Sequence, residues 1–166
     1  MVTATEDDVV LARNFLSAHE SFVEALPKDW GIIHWGWNFD RPVWAEIPEG
    51  VAKSTLHFDQ NELRKNIETF RNQQVAHAPV RLRHHFGTMA CSISPSGARF
   101  LLDSCLPMTD RLVGFPGFGI GVHNRGIDCL MNGAYPQMKA YACMPPLAAL
   151  ENRQESCRRY EDFMDK

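Results

Sequence analysis

The sequence predicts an α+β fold in which helices cover one face of a strongly curved, mostly antiparallel sheet. Three observations predict it. Helical apolar spacing marks residues 6–26 and 59–73, strand-length apolar runs dominate from residue 79 to 144, and a helical pattern with a polar outer face closes the chain. Glycines inside the strand runs permit the bends that curvature needs.

Taken in order, residues 6–26 place Val9, Val10, Phe15, Leu16, Phe22, Val23 and Leu26 near helical spacing, with Thr5 as the cap and Pro27 beyond the end. Residues 29–37 (DWGIIHWGW) read as a short helix capped by Asp29; a strand with His34 on one face is the alternative. Residues 42–47 read as a strand bounded by prolines, and 51–58 add a short second one. Asp59 caps a helix over 59–73, with Glu62 completing a capping box and Leu63, Ile67 and Phe70 as the buried stripe. Residues 79–93 and 98–108 read as strands joined by the turn sequence Ser94-Pro95-Ser96-Gly97. Residues 117–133 give a glycine-studded third strand, Asn132 to Pro136 a turn, and residues 136–144 a fourth strand. Residues 147–164 read as the closing helix. No repeat, linker or low-complexity tract divides the 166 residues, so one domain is expected over 1–166.

Composition removes several function classes. The formal charge is −3 with no basic run, which excludes the positive patch that nucleic-acid binding requires. No apolar stretch reaches membrane-spanning length, and the acidic start (MVTATEDDVV) is unlike a signal peptide, so a cytoplasmic protein is expected. The five cysteines (Cys91, Cys105, Cys129, Cys143, Cys157) form no CxxC, and buried reduced thiols are expected. GFPGFGIG lacks the helix and lysine of a phosphate loop and reads as a loop entering a bent strand. No spacing supports a metal, and Cys129 with His34 lacks the motif around a papain-like pair.

Three stretches carry a resemblance. Residues 28–48 (KDWGIIHWGWNFDRPVWAEIP), residues 61–88 (NELRKNIETF into VRLRHHFGT) and residues 125–146 (RGIDCLMNGAYPQMKAYACMPP) stand in order and at suitable spacing. Together they resemble the NTF2-like superfamily, and within it the SnoaL-like cyclases and scytalone dehydratase-like enzymes. The resemblance implies a cone, with N-terminal helices packed on the curved sheet around an apolar pocket. It implies a cofactor-independent isomerase, cyclase or dehydratase acting by general acid–base catalysis on a small hydrophobic, polyketide- or terpenoid-like intermediate. A homodimer follows from the same likeness. His84, three residues before Gly87, matches the family's strand histidine. Ala25 and Leu26 replace the dehydratases' acid and tyrosine, and Trp44 and Glu46 stand where their first-strand tyrosine is absent, so isomerase or cyclase chemistry is the closer expectation.

The residues offer their own candidates. On a regular strand Leu82, His84 and Phe86 share one face, and Arg83 and His85 the other. His84 near neutrality can take and return a proton; the bland reading is a histidine satisfied by a carboxylate. Asp103 and Asp128 sit among apolar neighbours, where desolvation raises a carboxyl's pKa; the bland reading is an acid facing solvent or beside Arg99. Glu46 shares a strand face with Trp44, as a proton acceptor beside a flat wall or as an exposed strand end. His34, Trp37, Trp44 and Phe86 are the expected substrate-binding residues, with no metal and no cofactor. The competing function is a non-catalytic binding or dimerisation module on the same fold.

Overall fold

The computed structural model describes residues 1–39, 41–115 and 119–150. Asp40, the middle of the Gly114–Gly121 loop, Cys157 and the closing helix past residue 150 lie outside these residues. Among the described residues no helix is long and apolar enough to cross a membrane.

The chain is α+β around a mostly antiparallel, seven-stranded sheet. In chain order the elements are β1 (Val2–Thr5), β2 (Val9–Leu11), α1 (Phe15–Glu24), β3 (Ile32–His34), β4 (Val43–Glu46), β5 (Lys53–Leu56), α2 (Gln60–Lys65), α3 (Ile67–Arg71), β6 (Ala78–His84), β7 (Ala90–Ile93), α4 (Pro95–Cys105), β8 (Leu112–Phe115), β9 (Ile120–His123), α5 (Ile127–Ala134), β10 (Ala140–Met144) and β11 (Ala148–Leu150). The large sheet runs β1-β7-β3-β10-β6-β4-β5, and β11-β2 and β8-β9 form separate ribbons. Among the described residues only β3 and β10 pair in parallel, with His34 opposite Ala142; on its other side His34 faces Cys91 of β7.

Both faces of the sheet are covered, not one. Ile32, Leu82, Cys91, Ala140 and Ala142 pack under Leu101 of α4, Leu130 and Tyr135 of α5, and Phe115 of β8. Ile33, Trp35, Tyr141 and Cys143 pack under Phe15 and Phe22 of α1 and Leu150 of β11. That burial explains why Ile32 and Ile33 of β3 and the AYACM of β10 run apolar without alternation. It also divides the tryptophans between two cores: Trp37 lies on the α4–α5 side, Trp30 and Trp35 on the α1 side.

The strand alternative, not the short helix, holds for residues 32–34. Here the backbone must come close to its neighbours. The Gly31 carbonyl accepts from Ser94 N at 3.0 Å, and a Cβ on Gly97 would stand 2.1 Å from that same oxygen. The expected hairpin at 94–97 is instead a helix start. Ser94 caps α4, its Oγ accepting from Gly97 N at 3.0 Å, and Pro95 takes the first turn, where its missing N–H costs nothing. Gly97, Leu101 and Cys105 then form the buried stripe at four-residue spacing. The expected third strand over 117–133 is the short strand β9, which pairs with β8, and then a helix, α5, and the NGAYP turn is that helix's end. Residues 6–26 are helical only from Phe15; Thr5 is in β1, not a cap, and Val9 and Val10 pair with β11. Strands β4, β5 and β10 lie where expected. Asp59 caps α2 through Asn61 N and Glu62 N, although the 59–73 helix breaks at Asn66 and Glu62 pairs with Lys65. Cys91, Cys105, Cys129 and Cys143 are free and buried, but Cys105 and Cys129 are helical rather than in strands.

Candidate functional site

β6 ends at His84, so the alternation expected of His84 and His85 stops there. His85 turns to the α5 side instead of the opposite face, and both rings are buried. Asn132 of α5 fixes the turn: its Oδ1 accepts from His85 N at 3.0 Å and its Nδ2 donates to His85 O at 2.6 Å.

This clamp brings three titratable side chains together. Tyr135 Oη lies 3.0 Å from His34 Nε2 and 3.5 Å from His85 Nε2, and the His34 and His85 ring centroids are 3.9 Å apart. His85 Nδ1 lies 3.2 Å from Phe86 O, which can only accept, so Nδ1 carries the proton and Nε2 is bare. The arrangement that places every hydrogen in a bond runs one way. His34 Nε2–H donates to Tyr135 Oη, and Tyr135 Oη–H donates to His85 Nε2. His34 Nδ1 is then an unpartnered lone pair deep in the fold. Burial, reinforced by His85, holds the His34 imidazole well below its ordinary pKa. Burial likewise lowers His85 to about 4 and raises the Tyr135 phenol well above its usual range, with Cys91, Asp128 and Cys105 adding to the rise. All three are neutral at pH 7.

At the start of α5 opens a cleft of about 290 Å³ lined by Glu6, Asn38, Gly87, Thr88, Asp128 and Leu150, among others. Thr88 Oγ1 donates to Glu6 Oε1 at 3.1 Å. Gly87 has φ +91°, and a Cβ there would also press on the Asn38 amide at 3.1 Å, so glycine is required on two counts. Asp128, in the first turn of α5, accepts from Cys129 N at 2.8 Å. Its backbone carbonyl accepts from Asn132 Nδ2 at 2.9 Å, which ties the cleft wall to the His85 clamp.

Of the expected catalytic residues, only Asp128 lines this cleft. His84 is buried between Trp44 and Phe115, with ring centroids 6.3 and 5.6 Å away and Nδ1 unpartnered. Burial lowers it to about 4, with nearby Asn132 opposing and Arg83 reinforcing the shift. Asp103 is not a buried strand acid: it lies exposed on α4, because the segment is helical and the residue falls on its outer side. Glu46 is neither free nor at an exposed end. Arg83 grips its Oε1, Gly50 N donates to Oε2 at 3.1 Å, and those bonds, Arg83 first, hold its carboxyl below the usual range. A carboxylate so bound is a poor proton acceptor.

Among the expected binding residues, His34 is fully buried in the sheet rather than at a pocket mouth. Trp37 packs with Phe39 and Phe58 at 5.9 and 5.1 Å, and Phe86 stacks on Phe115 at 5.6 Å, so both belong to the core. Trp44 is half-buried beside His84. Sequence reasoning missed Tyr135, Asn132, Glu6 and Asn38. The available signal was the spacing Asp128, Asn132, Tyr135, which is one face of a helix once NGAYP is not read as a turn. Among the described residues no group of three or more His, Cys, Asp or Glu could hold a metal ion. No protein-family model, curated protein or solved structure matches this chain.

Proposed function

We propose that this chain is a cofactor-independent acid–base enzyme, an isomerase, cyclase or dehydratase, acting on a small, largely apolar molecule in the cleft beside Asp128. One observation carries the reading: α5 sets the Asp128 carboxylate in the cleft wall and, one and two turns on, carries Asn132 and Tyr135 to the bonded His34 and His85 pair. Asp128 meets the substrate and takes its proton. The protonated Asp128 carboxyl then returns that proton to another carbon or to the leaving oxygen of the substrate, while Tyr135, whose phenol feels the Asp128 charge, and the two histidines bonded to it hold α5 in place. Met89, Ile127 and Leu150 supply the apolar walls. The likeness to NTF2-like proteins contributes the substrate class alone. The strand order, with α4 and α5 in place of two meander strands, lends the cone no support. The reading does not need it.

The rival, a binding module without chemistry, draws on a specific fact: His34, His85 and Tyr135 are each at most 1 % exposed and already bonded to one another. Ring opening of a nitrobenzisoxazole, a carbon acid that any desolvated base opens, separates the two. The enzyme gives saturable ring opening that falls at least about tenfold in Asp128→Asn and is reduced in Tyr135→Phe. A rate no better than that of acetate buffer, or one untouched by Asp128→Asn, leaves the binding module.

A further inference from the structure

A second cleft, about 270 Å³, lies on the other side of α5. The helix presents Asp128 to the acid–base cleft, Asn132 and Tyr135 to the histidine cluster, and Leu130, Gly133 and Ala134 to this cleft. Its remaining wall comes from Ser104 at the end of α4, from Arg111, and from β8.

The chemistry of the lining is asymmetric. The floor is apolar, made by Val113 and Leu130, both buried. Gly133 keeps it low: a Cβ there would stand 2.9 Å from Val113 Cγ1. The rim carries one cation. Arg111 donates through one terminal nitrogen to the Ser104 carbonyl, which fixes the guanidinium against α4. No carboxylate among the described residues pairs with it; Asp110, next in sequence, accepts instead from His123 Nδ1 at 3.0 Å. The rest of the guanidinium's donors are therefore unspent, and the exposed Gln137 amide lies on the same rim. An anchored guanidinium that keeps a donor edge matches the two oxygens of a carboxylate. A single cation balances one negative charge. The carbonyl end of α4 penalises a second.

We propose that this cleft binds a small organic monocarboxylate, its carboxylate on Arg111 and Gln137 and its apolar body over Val113 and Leu130. The site is separate from the acid–base cleft, so either can fail without the other.

Benzoate titrated into the ¹⁵N-labelled full chain tests it by NMR, with benzylammonium and phenyl phosphate as controls. The expected result is saturable binding, with shifts at the Leu112, Val113 and Gly114 amides and the Arg111 side chain. Arg111→Gln, an exposed substitution, weakens binding at least about tenfold, and Arg111→Lys restores part of it. The proposal is overturned if benzoate does not saturate, if benzylammonium binds as well, or if Arg111→Gln changes nothing. Tighter binding of phenyl phosphate would overturn the monocarboxylate assignment.

Discussion

Acidifying the protein from neutrality to about pH 5 protonates His85 in the unfolded chain but not in the fold. Its ordinary value of 6.5 falls to about 4 when it is buried against His84 and under α5. Between those two values the unfolded state binds a proton that the native state refuses, so stability falls as pH falls. The slope is about 1.4 kcal/mol per pH unit for one histidine, which makes about 2 kcal/mol at about pH 5 from His85 alone. His34 and His84 are lowered in the same direction and steepen the loss. Stability is fully present above the unfolded value and is lost as pH drops towards the folded one. Urea denaturation read at about pH 7, 6 and 5 measures the slope. His85→Gln keeps the Asn132 clamp, which grips the backbone and not the ring, and removes about one proton from the slope. A stability that stays flat over this range, or a slope that His85→Gln leaves intact, refutes the claim that His85 is buried and neutral.

Two other substitutions probe the frame. Asn132→Ala strips partners from the buried His85 N and O and is expected to cost about 3 kcal/mol, read as a lower urea midpoint at unchanged m. Ser94→Ala removes the α4 cap bond to Gly97 N and is expected to cost about 1 kcal/mol, read as a fall in Tm; no change would mean that α4 begins without its cap.

Local signals survived into the fold where one reading dominated. Pro-bounded PVWAEI became β4, Asp59 capped α2, and AYACM became β10. Ambiguity defeated the rest. Ser94-Pro95-Ser96-Gly97 has the residues of a turn and equally those of a capped helix with proline in its first turn, and only the close approach to Gly31 decides between them. Reading α4 and α5 as strands buries Asp103 and makes Tyr135 a turn residue. His34 and Tyr135 stand 101 residues apart, and nothing local in either segment announces that contact. His85 escaped for a narrower reason: period-two alternation assigns faces only while a strand continues, and β6 stops one residue earlier. The strand alternative for residues 29–37 already placed His34 opposite Ile33, and tertiary pairing with β7 and β10 settled it over the weak helix.

His34, Tyr135 and His85 form a buried chain of neutral groups at the centre of the fold. Imidazole ¹⁵N shifts, followed from pH 7 downwards, report both tautomer and charge at each ring. The expected result is Nε2–H on His34, Nδ1–H on His85, and no protonation of either until the solution is well below 6.5, the ordinary histidine value. A charged ring at neutral pH, or His85 carrying its proton on Nε2, would contradict it.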